Sequence, residues 1–290
     1  MSLSVKEMIR KADARFREEL YKTADMICAD TELNIVRLSG PTCAGKTTAA
    51  KMLVKRMAEN GKNAVFVSID DFYYDCDHLE MISRENGFDG LDYDSPATID
   101  TAAMAEFIGE LRQRREAICP RFDFSTGKRE QGRKIKIGDD DILIFEGIQA
   151  VYEEIIELFG NERTDCIFIS PTESIVCSVE RFEPNEIRLM RRIVRDSNFR
   201  DTNATETMSL WKSVRENEEK HIFPNVPQCK YRINSTMPYE IGVLRPYLEK
   251  VLSGPSPYRS EFDRMLEKIK DVESIPSSYI DEDSLYKEFV

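Results

Sequence analysis

The chain has 290 residues, 41% of them hydrophobic and 32% charged, and a formal net charge of −12 at pH 7. This is the composition of a globular protein with one large or two small domains and a sizeable core, and its acidic balance argues against a general binder of nucleic acid or anionic membranes. The apolar runs are strand-sized rather than membrane-spanning, and "MSLSVKEMIRKADARF" has no apolar signal core. Seven cysteines, odd in number and without a C-x-x-C pair, fit a reduced, cytoplasmic setting in which they act mostly as small buried hydrophobes.

Val5, Ile9, Ala12, Phe16 and Leu20 recur at helical spacing and predict a helix over 4–29. "NIVRLSG" reads as a strand ending in glycine, and a helix from Thr47 to Asn60 follows, stopped by Gly61. "NAVFVSIDD" is a buried strand closed by Asp70 and Asp71. Residues 72–98 read as loop-rich, and Thr98 to Glu116 as a second helix. "PRFDFSTGKREQGRKIKIG" reads as a hairpin with Gly127 at its tip. "DDILIFEGIQAV" is a strand ending at Glu146, and "CIFIS" another, stopped by Pro171. An arginine-rich helix, a helix around Trp211 and a last strand in "YRINST" complete the run, before a tail over 255–290 read as a helix plus an acidic, loosely packed end. Strands alternating with helices predict an α/β fold with a mainly parallel, doubly wound sheet. The hairpin and the arginine helix read as insertions over one sheet edge.

The chemistry starts at "LSGPTCAGKTTAA", which fits G-x-x-x-x-G-K-[ST] between a predicted strand and a predicted helix, the context of a P-loop. Its glycines let successive N–H groups converge on an anion, and the helix start adds positive potential. The phosphate-binding set is Gly40, Thr42, Cys43, Ala44, Gly45, Lys46, Thr47 and Thr48, with Lys46 reaching the β- and γ-phosphates and Thr47 offering a hydroxyl to Mg²⁺. The rival reading is a glycine-bounded turn that matches by chance. Parallel strands deliver Asp70-Asp71 and Glu146 to the same crevice, so one carboxylate can hold Mg²⁺ and another can accept a proton from an attacking hydroxyl. The rival reading there is a solvated turn after each strand. Arg188, Arg191, Arg192 and Arg195 share one helical face, with Arg200 just beyond. They read either as a solvated face balanced by Glu180, Glu183 and Glu186 or as a lid that neutralises charge on a transferred phosphoryl group. His78 and His221 show no metal-binding spacing and carry no assigned role.

Taken together, "GPTCAGKTT", "SIDDFYYD", "DYDSPATID", "PRFDFSTGKR", "ILIFEGI" and "RRIVRDSNFR" resemble, in order, the motifs of the uridine kinase/phosphoribulokinase family of P-loop kinases. The resemblance covers Asn34 to Pro238, and "LWKSVRENEEKHIFP" with "INSTMPYEIGVLRP" is similar to a bacterial uridine kinase-like branch. It implies a three-layer P-loop sandwich over 31–254 with an arginine-rich lid, preceded by a helical extension over 1–30 and followed by a packed tail over 255–290. It also implies ATP and Mg²⁺, and transfer to the 5′-hydroxyl of a pyrimidine ribonucleoside, uridine with or without cytidine. Related kinases commonly form homo-oligomers.

The resemblance selects Asp70 as base and metal-associated carboxylate, beside Lys46 and Arg195 as catalytic groups. Tyr73, of the Asp-x-Phe-Tyr motif, and Phe122 are expected to bind substrate together with Asp70, Asp94 matches the residue that holds the ribose hydroxyls, and Arg192 matches a substrate-side lid arginine. Glu146 matches the metal-associated glutamate, with Thr47. In place of the family's Tyr and His that read the pyrimidine stand Phe122 and Gly127, and Thr202 replaces a further lid arginine. Two other readings remain open: a kinase for pantothenate or a sugar phosphate, and a non-catalytic nucleotide-binding scaffold. The N-K-x-D guanine reader of GTPases is absent.

Overall fold

A computed structural model describes residues 4–85, 87 and 91–290. In chain order it contains α1 (Val5–Ala29), β1 (Ile35–Ser39), α2 (Lys46–Glu59), β2 (Ala64–Ser68), α3 (Cys76–Glu85), α4 (Thr101–Arg114), the β3 (Glu116–Asp123) and β4 (Lys128–Lys136) hairpin, and β5 (Ile142–Glu146). Then follow α5 (Glu153–Glu157), β6 (Thr164–Ser170), β7 (Ile175–Cys177), β8 (Glu180–Phe182), α6 (Pro184–Phe199), α7 (Ala204–Asn217), β9 (Tyr231–Asn234), α8 (Glu240–Val251) and α9 (Arg259–Ile269).

Five parallel strands form the central sheet in the order β2-β5-β1-β6-β9. Their side chains alternate between two buried layers, as a sheet covered on both faces requires. Val36, Leu38, Ile142, Ile144, Ile167 and Ile169 face one layer, with α1, α2, α6 and α8. Ile35, Leu143, Phe145, Cys166 and Phe168 face the other, with α4 and the β3–β4 hairpin. The expected α/β sandwich is therefore present.

Four expectations need correction. The stretch 72–98 contains α3, whose first N–H is held by the Gly127 carbonyl at 2.8 Å, although residues 86 and 88–90 lie outside the described residues. A short β7–β8 hairpin intervenes before the arginine helix. That helix, α6, is not an insertion over a sheet edge: Ile187, Met190, Ile193 and Val194 are part of the first layer. The last residues are not loosely packed, because Leu285, Tyr286 and Phe289 are fully buried in the same layer as α1 and α2.

Candidate active site

Register places the strand ends that matter side by side. Leu38 of β1 and Ser68 of β2 both lie opposite Glu146 of β5, so the loop after β1, the turn after β2 and the end of β5 open into one crevice. That crevice is a cleft of 580 Å³ lined by Thr42, Cys43, Lys46, Thr47, Asp70, Tyr73, Asp94, Glu146, Arg192 and Arg195, among others. Residues chosen from five separate stretches of sequence thus meet on one surface.

The loop between β1 and α2 is held from behind. Gly45 adopts φ +91°, a conformation that glycine alone enters without strain. Cys43, at φ 57°, carries a side chain in the left-handed region. Arg188 and Arg191 anchor the loop's carbonyls: Arg188 Nη1 donates to Thr42 O at 3.3 Å and Arg191 Nη1 to Cys43 O at 3.2 Å. Carbonyls turned outward in this way leave the N–H groups free to turn inward. Lys46 Nζ donates to Pro41 O at 3.1 Å, inside the loop it would serve. Thr47 is exposed on the cleft, whereas Thr48 turns to the Glu288 carboxylate.

The four arginines of the predicted lid divide into two pairs. Arg188 is buried in a two-point ion pair with Glu218 (2.6 and 2.7 Å), and Arg191 in another with Glu240 (2.6 and 3.0 Å). Neither reaches the cleft; both are internal supports. Arg192 and Arg195 do line it. Asp196 aligns them, accepting from Arg195 Nε and Nη2 at 3.0 and 2.7 Å and from Arg192 Nε at 3.3 Å. Arg200 and Thr202 complete this rim.

The two aspartates after β2 face different surroundings. Asp70 lines the cleft and accepts from Gln149 Nε2 at 3.1 Å. Asp71 is turned to the hairpin, where its Oδ1 accepts from the Phe122 N–H at 3.3 Å, and burial pushes its carboxyl pKa up. Glu146 is buried with no side-chain hydrogen bond among the described residues. Burial raises its pKa to about 8; Lys46 opposes that shift, and the carboxylates of Asp70, Glu288 and Asp71 add to it. A buried carboxylate facing a lysine and open to the cleft matches what a divalent cation would neutralise. Among the described residues no group of three or more metal-ligating side chains occurs. An Mg²⁺ ion binds through one or two protein oxygens plus phosphates and water, and Thr47 and Glu146 are the cleft residues that would hold it.

Asp94 is presented by a turn that Asp92 builds: Asp92 Oδ1 accepts from the Asp94 and Ser95 N–H groups at 2.8 and 3.1 Å. Tyr152 O–H donates to the Asp94 carbonyl at 2.7 Å, leaving the carboxylate for the cleft. Its pKa is raised to about 6, chiefly by burial, with Arg192 opposing.

Three residues singled out in the sequence have the following surroundings. Tyr73 lines the cleft by its ring, but its hydroxyl is engaged, donating to Tyr93 O at 2.6 Å and accepting from Gln149 at 2.7 Å. Phe122 is buried under Phe124, with ring centroids 5.0 Å apart, and it is Phe124, 57% exposed, that lines the cleft. Gly127 faces α3, not the cleft: a Cβ there would fall 2.2 Å from Cys76 Sγ. Arg129, on β4, is paired with Asp100 at 2.8 Å. Sequence reasoning missed Phe124, Gln149, Asp196 and Glu288. The first three lie one or two residues from motif positions and were within reach; nothing local marks Glu288.

The fold and this cleft define a P-loop kinase. The description "Phosphoribulokinase / Uridine kinase family" matches residues 35–239, and the chain belongs to that family. It is 27% identical over 180 residues to a uridine kinase of Ureaplasma urealyticum, covering 62% of this chain and 77% of that one. A uridine kinase of Alkaliphilus metalliredigens is 26% identical over 191 residues, covering 66% and 81%. Among solved structures, a Saccharomyces cerevisiae protein described as a P-loop containing kinase with a circular permutation superposes with a TM-score of 0.53 at 12% identity, over 77% of this chain and 99% of that chain. Its likeness concerns the fold alone. No described helix is long and apolar enough to cross a membrane.

Proposed function

We propose that this kinase transfers the γ-phosphoryl group of ATP to the 5′-hydroxyl of a pyrimidine ribonucleoside, uridine in the first place. The observation that carries the reading is the placement of Asp70 and Asp94 on one cleft with Lys46, Thr47, Arg192 and Arg195. Asp70 accepts the proton of the attacking hydroxyl, and Gln149 fixes its orientation. Lys46, Arg192 and Arg195 supply positive charge to the phosphoryl group in flight, where stabilisation accelerates transfer most. Thr47 and Glu146 would hold Mg²⁺, which neutralises phosphate charge when bound. Asp94 accepts hydrogen bonds from the two ribose hydroxyls. The uridine kinase names of the relatives support the substrate class.

The base is read loosely. Phe124 offers a stacking face and Leu210 and Val214 an apolar wall, while Gly127, Phe122 and Arg129 are directed elsewhere. Uridine is therefore accepted, with cytidine equal or weaker. Incubation of the protein with ATP, Mg²⁺ and a panel of nucleosides, with products separated by chromatography, tests this. Uridine 5′-monophosphate is the expected product; preference for a purine nucleoside would place the base elsewhere. The boundaries at 31 and 254 are proposed as the limits of the kinase core, with 1–30 and 255–290 as packing elements, and a homo-oligomer is a proposal for sizing chromatography.

A further inference from the structure

Residues 284–290 lie directly on the phosphate loop. Leu285 Cδ1 sits 2.1 Å from where a Cβ on Gly45 would fall, so this glycine also lets the segment press against the loop. Tyr286 and Phe289 are fully buried and flank the Arg191 guanidinium, 5.7 and 5.1 Å from their ring centroids. Asn198 Nδ2 donates to the Phe289 carbonyl at 3.2 Å. Glu288, between these anchors, is turned the other way. Its Oε2 accepts from the Thr48 N–H at 3.4 Å and from the Thr48 hydroxyl at 3.2 Å, and its side chain lines the cleft.

The first turn of α2 is where a helix start attracts an anion, and the backbone N–H groups of a P-loop cradle the phosphates of the donor there. A carboxylate bonded to those donors and a phosphate oxygen seeking them exclude one another. Each N–H serves one strong acceptor, and two adjacent negative charges in a partly dry cleft repel. We propose that Glu288 is an internal competitor for the donor's phosphate at Thr48, so that donor affinity is set by how readily this carboxylate is displaced. The proposal rests on the reading of Gly40–Thr48 as the donor's phosphate loop. Displacement does not require the segment to leave. Glu288 is only partly buried, and rotating its side chain frees Thr48 while Tyr286 and Phe289 stay packed.

Replacing the carboxylate by its neutral isostere weakens the competing hydrogen bonds and removes the repulsion. Glu288→Gln should bind the donor about tenfold more tightly, the ratio expected when a charged hydrogen bond becomes a neutral one. Calorimetric titration of ADP with Mg²⁺ into the wild type, Glu288→Gln, Glu288→Ala, Glu249→Gln and Lys46→Ala decides the matter. Glu249 is exposed on α8, away from the cleft, and controls for net charge. Tightening in either Glu288 variant, with Glu249→Gln at the wild-type value, supports competition. Unchanged or weaker binding in both Glu288 variants, or equal tightening in Glu249→Gln, overturns it. Lys46→Ala reports separately on the loop: if that variant binds ADP as the wild type does, the donor reading itself fails.

Discussion

Arg191 and Glu240 form an ion pair with no solvent exposure, and the arginine's remaining donors hold the carbonyls of Cys43 at 3.2 Å and Ser235 at 2.7 Å. A fully desolvated guanidinium is tolerable here because each of its three nitrogens finds an oxygen. Glu240→Ala leaves that charge uncompensated and should cost about 3–5 kcal/mol, the usual cost of breaking a buried pair from one side. Chemical denaturation measures it. A loss below about 0.5 kcal/mol would mean that water enters and that Arg191 is not the support described here.

Asp70 and Asp71 are neighbours with opposite orientations, and their amide variants should separate cleanly. Asp70→Asn keeps the bond from Gln149 but removes the proton acceptor, so kcat should fall by about 10²–10⁴ with the fold intact. Asp71→Asn keeps an acceptor for the Phe122 N–H and removes a carboxylate whose ionisation burial disfavours, so turnover should stay near wild type while stability holds or rises slightly. Steady-state kinetics beside thermal melts would show the reverse pattern if the base were Asp71.

Much of this cleft was legible because its parts sit at strand ends. The glycine-bounded loop, "IDD" and "ILIFE" each mark where a buried strand stops, and a parallel sheet brings such ends together whatever lies between them. The arginines show the limit. Spacing put Arg188, Arg191, Arg192 and Arg195 on one face, but a face does not say how deep each residue lies. Glu218 and Glu240, far along the chain, draw two of them into the interior. The docking of Leu285 and Glu288 on the loop was illegible for the same reason: a contact across 240 residues leaves no local period. The tail's acidic composition pointed instead to solvent.

Arg195 lines the cleft with its guanidinium held by Asp196, so its reach is preset. Arg195→Ala should lower kcat more than it raises the KM for the nucleoside, because its interaction strengthens as charge shifts in the transition state. An Asp196→Asn variant should reproduce a weaker form of the same defect. If both substitutions change melting temperature alone, the arginine is structural.

Asp94 gives a pH signature. Its folded-state pKa is raised to about 6 from the ordinary 3.8, chiefly by burial. A raised carboxyl pKa means that the folded protein holds the proton longer than the unfolded chain. The contribution to stability is therefore fully present below pH 3.8 and is lost as pH rises through about 6. In the absence of ligand, Asp94→Asn should melt higher than wild type above pH 6, and the gap should close toward pH 3.8. In catalysis the ionised form is needed to accept both ribose hydroxyls, so kcat/KM for the nucleoside should fall as pH drops below about 6. A profile flat from pH 5 to 8 would remove Asp94 from sugar recognition.

Transfer from ATP to a ribonucleoside 5′-hydroxyl is read straight from product analysis with uridine and 2′-deoxyuridine as paired acceptors. Chromatography with phosphorus NMR identifies the product and the position of the new phosphate. Uridine 5′-monophosphate and ADP should form in equal amounts. The ribonucleoside should be favoured roughly tenfold or more, since a deoxy sugar leaves the half-buried Asp94 carboxylate partly unpaired at a cost of about 1–3 kcal/mol. ADP release that ignores added nucleoside, or phosphate transferred only to pantothenate or a sugar phosphate, would contradict transfer to a nucleoside.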